Sequence, residues 1–230
     1  MEPRNKGYLE WEIVKEKASQ LKVLALSSHS LRIPSDSTQR CMFVHLIRKP
    51  HDRFISAWKF ETKYESFRGT FTEYLENKVH TANLQSKLLV EGSNDELSVD
   101  DIKLQEFYLY LRHRPNVFLG VVERYDESMT VLEQVINQNY RKIDLSYPSA
   151  LNTSAATGSE SGMNAEIPHY FTRLDTALHE LANTRLDLYI STYPNFSELL
   201  SNFQARCQAK RGEKQSIPPK IKNKNWYFVG

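Results

Sequence analysis

Short apolar runs alternate with amphipathic stretches along most of this chain. Residues 21–27 (LKVLALS), 42–47 (MFVHLI) and 117–122 (VFLGVV) are brief and apolar, as buried strands are. Between and after them the spacing changes to that of helices. Residues 51–63 place Phe54, Ile55 and Trp58 on one side, and residues 70–78 do the same with Phe71, Tyr74 and Leu75. Residues 83–90 predict a shorter helix. Residues 126–139 predict a helix capped by Asp126, with Met129, Leu132, Val135 and Ile136 inward. Further helices are predicted at 8–19, 169–191 and 194–208. One more is predicted at 100–112, with Ile102, Phe107, Leu109 and Leu111 on a broad apolar face and Pro115 beyond it. Strands alternating with helices predict an α/β domain built on a parallel sheet flanked by helices. Three strands are visible where such a fold should have four or five.

The remaining segments are polar. Residues 91–98 form a loop containing Gly92, and 146–168 are rich in Ser, Ala, Thr and Gly, a composition that predicts a mobile loop near a ligand. Residues 206–224 carry seven Lys or Arg against one acid, Glu213, so that the basic tail could attract an anionic glycan. Trp226, Tyr227 and Phe228 are expected to dock back onto the domain. The organisation predicted is one domain over residues 1–208 and a basic tail over 209–230.

Composition narrows the possibilities. A length of 230 residues allows one domain with a substantial core. A net charge of +2 does not argue for nucleic acid, and none is expected as a partner. The two cysteines, Cys41 and Cys207, lie far apart; no disulfide framework or zinc spacing can be drawn, and no metal is expected. The longest apolar run, about seven residues, is far short of a membrane helix. Residues 1–20 do not read as a signal peptide, which predicts a cytoplasmic chain.

Chemistry concentrates in residues 43–60, FVHLIRKPHDRFISAWKF. The apolar run stops at Arg48, Pro50 follows, and an amphipathic run opens with Asp52. A strand, a tight turn and a helix start are thereby placed in sequence. They bring together Arg48, Arg53, a helix N-terminus and the Ser56 hydroxyl one turn in. Helix N-termini carry unpaired N–H groups and partial positive charge, and guanidinium forks suit phosphate oxygens. The expectation is a phosphate site; the plainer alternative is a surface turn with two incidental arginines.

The spacing R-x-P-x-x-R-x-x-S-x-W closely resembles the 3′-phosphate motif of sulfotransferases that use 3′-phosphoadenosine-5′-phosphosulfate (PAPS). Lys49 departs from the aspartate common there. Three more stretches resemble the same family: NLQSKLL at 83–89, LGVVERYDESMTVL at 119–132 with its G-x-x-E-x-x-x-x-S spacing, and LNTS at 151–154. The likeness covers roughly residues 20–195 and is nearest to the glycan O-sulfotransferases of the heparan 2-O and 6-O kind. It implies a P-loop-NTPase-like sulfotransferase fold and transfer of a sulfuryl group from PAPS to a carbohydrate hydroxyl without a metal. Arg48 and Ser56 would hold the 3′-phosphate, and Arg53 would support the loop through hydrogen bonds. His29, just past the strand at 21–27, matches the position of the catalytic base in the 2-O branch; a neutral imidazole suits that role.

Two departures temper these implications. The family's 5′-phosphosulfate turn, of the P-K-T-G-(T/S)-(T/S) kind, has no counterpart in residues 1–20. Its first strand and P-loop are therefore expected to be missing, from an incomplete gene product or in a short relative that has lost catalysis. Animal members carry an N-terminal Golgi anchor, so a membrane location follows if the anchor is missing too. Residues 154–164 also lack the basic side chains that the family uses to close over the nucleotide. The alternative function is a non-catalytic domain binding a 3′-phosphonucleotide or anionic glycan. A nucleotide kinase is argued against by the absence of G-x-x-x-x-G-K-(S/T).

Overall fold

The computed structural model describes residues 25–27, 42–65, 67–89, 106, 108–109, 111–112, 114, 116–139, 142–148, 166–211 and 227–229. The fold is mixed α/β and mostly helical. Its strands are β1 (Ala25–Ser27), β2 (Phe43–Ile47), β3 (Val117–Val121) and β4 (Tyr227–Val229). Its helices are α1 (Pro50–Tyr64), α2 (Phe71–Asn77), α3 (Leu84–Leu89), α4 (Tyr125–Asn139), α5 (His169–Ser191) and α6 (Phe196–Ala209), with 3-10 turns at Val79–Thr81 and Val122–Arg124.

β2 and β3 run parallel, in register from Phe43↔Val117 to Ile47↔Val121, so their carboxyl ends finish side by side. All five β3 residues are buried. Phe43 and Ile47 of β2 turn inward, while Val44 and Leu46 lie on the more exposed face, as the period-2 alternation of a strand requires. α5 packs on β3, α1 and α3, and α4 packs on β3 and α6. The buried positions of α5 are Phe171, Leu174, Asp175, Leu178, Ala182 and Leu186, a single stripe at helical spacing.

Two apolar clusters result. One surrounds the parallel pair and includes Phe118, Leu119, Leu132, Leu178, Leu186 and Phe203. The other is mostly aromatic, with Phe54, Phe71, Tyr74, Leu75, Ala82 and Phe171, and its Phe54 and Phe171 rings meet edge-on at 5.8 Å. Trp58 packs against Phe71 at 5.5 Å and donates from Nε1 to the Gly69 carbonyl at 3.4 Å.

Several expectations are corrected. β1 pairs antiparallel with β4, from Ala25↔Val229 to Ser27↔Tyr227, and does not join the parallel pair among the described residues. Of the segment expected to dock back, Tyr227 and Phe228 pair with β1 as part of a strand, and Trp226 lies outside the described residues. Val122 begins a 3-10 turn instead of extending β3. That turn enters α4 with Tyr125 already in helical conformation, which leaves Asp126 inside the first helical turn and not at an extended cap position. The Asp126 carboxylate instead accepts from the Tyr147 hydroxyl and from Gln204 Nε2 (2.9 Å). In the 106–112 stretch Glu106, Tyr108, Leu109, Leu111 and Arg112 are helical, but Leu109 is 60% exposed where Leu111 is fully buried. Two positions apart on a helix point to nearly opposite sides, so the apolar face is narrower than predicted. The predicted helix at 8–19 and the loop at 91–98 lie outside the described residues. Among the described residues no helix is long and apolar enough to cross a membrane.

Candidate anion site at the end of the parallel pair

The turn from β2 into α1 sits at the carboxyl edge of the parallel pair, where ligands of open α/β sheets collect. Pro50 occupies the first turn of α1, a position that costs no hydrogen bond, and Lys49 ahead of it makes no side-chain cap. An open pocket of about 340 Å³ runs along α1 from this turn and is lined by Arg48, Arg53, Ser56, Ala57, Phe60, Glu61 and Glu65. The three predicted phosphate-site residues, Arg48, Arg53 and Ser56, therefore share one pocket.

They are not equivalent within it. Arg53 is largely buried against the aromatic cluster, its guanidinium 3.9 Å from the centre of the Phe54 ring. Its Nη2 donates to the Thr81 carbonyl at 3.0 Å, and its Nε lies 3.8 Å from the fully buried Asp175 carboxylate. Burial pulls the Arg53 guanidinium below its ordinary range, with Asp175 and Tyr74 pushing it back up. The side chain stays a cation, as arginine does throughout proteins. Arg53 thus braces the loop. Arg48 and Ser56 are half-buried, and with the other described residues their guanidinium and hydroxyl make no hydrogen bond or ion pair. They are the groups left to meet an anion.

The carboxylates at the far end of the pocket limit where that anion sits. Glu61 accepts from the Tyr74 hydroxyl at 3.0 Å and pairs with Lys78 Nζ at 2.8 Å, so its charge is largely compensated. Glu65 is exposed. A phosphate is favoured at the Arg48 end, nearest the helix N-terminus.

Three residues that hold the turn are not among the predicted site residues. Gln85 Oε1 accepts from Arg48 N and Gln85 Nε2 donates to Arg48 O, both at 2.8 Å. Glu123 Oε1 accepts from Lys49 N at 2.8 Å, and its Oε2 lies 3.1 Å from His179 Nε2. Asp175 accepts from Ser86 N and Ser86 Oγ at 2.8 Å and from Gln85 N at 3.2 Å. Burial raises the Asp175 pKa, opposed by the Ser86 amide and Arg53. Gln85 and Glu123 sit in two of the segments whose spacing resembles sulfotransferases, 83–89 and 119–132. Asp175 was detectable as a carboxylate at a core phase of an otherwise apolar helical stripe.

The G-x-x-E-x-x-x-x-S spacing also acquires a physical meaning. Ser128 Oγ accepts from Val121 N at 2.9 Å and donates to Val121 O at 3.1 Å, tying α4 to the end of β3. A methyl group on Gly120 would stand 3.2 Å from Ser128 Cβ and 2.7 Å from Leu46 Cδ2, so a side chain there would crowd this junction.

His29 and residues 151–154 lie outside the described residues, as do residues 149–165 of the segment 146–168 predicted to be a loop. Two of the tail cations expected to be available to an anionic glycan are engaged inward. Arg206 clasps the buried Glu133 at 2.5 and 3.1 Å and also pairs with Asp144, and Lys210 pairs with Asp144 at 2.8 Å. Among the described residues no cluster of three or more metal-ligating side chains occurs. No protein-family model matches this chain, and neither a characterised protein nor a solved structure matches it.

Proposed function

We propose that this chain is a sulfotransferase-like protein that binds a 3′-phosphonucleotide, with PAPS as co-substrate and a carbohydrate hydroxyl as acceptor. The observation that carries the reading is the pocket shared by Arg48 and Ser56 at the carboxyl end of a parallel strand. In this reading the Arg48 fork and the Ser56 hydroxyl hold the 3′-phosphate, and Arg53 keeps the turn in place. PAPS supplies an activated sulfuryl group. His29 is assigned the proton of the attacking hydroxyl. The finer fold assignment, a P-loop-NTPase-like sulfotransferase domain, belongs to the same proposal; the parallel pair flanked by helices supports it.

The test is calorimetric titration with 3′-phosphoadenosine-5′-phosphate. Micromolar binding to the wild type, weakened at least tenfold in Arg48→Ala, is expected. A folded chain that does not bind the nucleotide overturns the reading. Transfer of labelled sulfate from PAPS to heparan-type acceptors, lost in His29→Ala while nucleotide binding persists, would separate an enzyme from a non-catalytic binding domain.

A further inference from the structure

We infer that Gln85 is a positioning residue that presents Arg48 to its ligand, an inference that rests on the nucleotide reading above. Gln85 meets both backbone polar groups of Arg48, accepting from the N–H and donating to the carbonyl, each at 2.8 Å. Its carboxamide thus does for one residue what a neighbouring strand would do. This occurs where β2 has ended and the ladder with β3 has stopped at Ile47↔Val121.

The segment that carries Gln85 is itself anchored through its backbone. Asn83, at φ 51, starts the segment; its Nδ2 donates to Tyr170 O at 2.9 Å and its Oδ1 accepts from Leu174 N at 2.9 Å. Asp175 takes the amides of Gln85 and Ser86. Position is therefore relayed from α5 through α3 to the Arg48 backbone. Glu123 holds the following amide, Lys49 N, from the β3 side.

One consequence is chemical. The amides of Arg48 and Lys49 both donate to protein side chains, so neither takes part in a backbone anion nest. Recognition is left to side chains, the Arg48 guanidinium and the Ser56 hydroxyl, and the aim of Arg48 depends on the backbone that Gln85 fixes. Gln85→Met keeps the length and apolar volume and removes both bonds. It should make the Arg48 amide exchange hydrogen faster and weaken 3′-phosphoadenosine-5′-phosphate about tenfold. Adenosine 5′-phosphate, which lacks the 3′-phosphate, should bind as it does to the wild type. Equal weakening of both nucleotides would make Gln85 a merely structural residue and overturn the inference. So would unchanged affinity for both, with Arg48→Ala still defective; the site reading would then stand alone. A folded wild type that binds neither nucleotide defeats the site reading and this inference together. If Gln85→Met fails to fold, Gln85→Asn, too short to reach Arg48, is judged by the same ratio of affinities.

Discussion

His45 illustrates how a single ionisable group inside a strand reports on the fold. It stands between Phe43 and Ile47 on β2, and burial lowers its pKa to about 4. The folded state therefore binds its proton less readily than the unfolded chain, whose histidine titrates near 6.5. Stability is unaffected by His45 above pH 7 and falls as pH drops from about 6.5 toward 4, where the unfolded chain takes up the proton first. Since part of the residue remains accessible to solvent, the loss should be about 1–3 kcal/mol. Denaturant unfolding at pH 7 and pH 4.5 measures it, and His45→Phe should flatten that slope; an unchanged slope would place the acid sensitivity elsewhere. Asn83 is a second informative residue. Its backbone is left-handed at φ 51, and its side chain ties two carbonyl and amide groups of α5. Asn83→Ala should cost about 2–4 kcal/mol, and Asn83→Gly less, because glycine accepts the backbone while losing the same bonds. Equal losses in the two variants would show that the backbone conformation contributes nothing.

Helix ends and junctions were partly legible. Thr70 and Glu73 form a reciprocal capping box at α2, with Thr70 Oγ1 accepting from Glu73 N at 3.2 Å and Glu73 accepting from Thr70 N at 2.6 Å. The T-x-x-E spacing states this in the sequence. Thr70→Ala should lower the unfolding free energy by about 1 kcal/mol, read from chemical denaturation; a change within error would mean that packing of Phe71 and Tyr74 alone sets where the helix begins. The entry into α4 was not legible in this way. Asp126 followed by an apolar periodic run has the look of a cap, yet a 3-10 turn at Val122–Arg124 joins β3 directly to the helix and starts it at Tyr125. The β1–β4 pairing was hidden for a related reason. Three-residue strands carry too little pattern to name a partner, and these two are separated by almost the whole chain.

The two apolar clusters meet through α5, which contributes Phe171 to the aromatic one and Leu178, Ala182 and Leu186 to the one around the sheet. A shared 23-residue helix should couple them into one cooperative unit. Phe54→Ala in one cluster and Leu178→Ala in the other should each destabilise by about 3–5 kcal/mol and shift the same single thermal transition. Two separable transitions by near- and far-ultraviolet circular dichroism would refute that coupling. The periodicity of apolar residues was enough to place the strands at 42–47 and 117–122, each within one residue of those observed, and the helices around them, since period-2 and period-3.6 burial are local properties of the chain. It also marked Arg48, Arg53 and Ser56, because a strand stop, a proline and a helix start put them within one turn. What local pattern could not supply was their division of labour. Arg53 becomes a brace because Asp175, 122 positions away in sequence, is buried beside it. Arg48 is left for the ligand in the proposed reading, because Gln85 and Glu123 bond to the backbone around it and not to its guanidinium. Hydrogen-bond partners of a loop are chosen by which distant segments packing brings within 3 Å, and that is a property of the assembled fold.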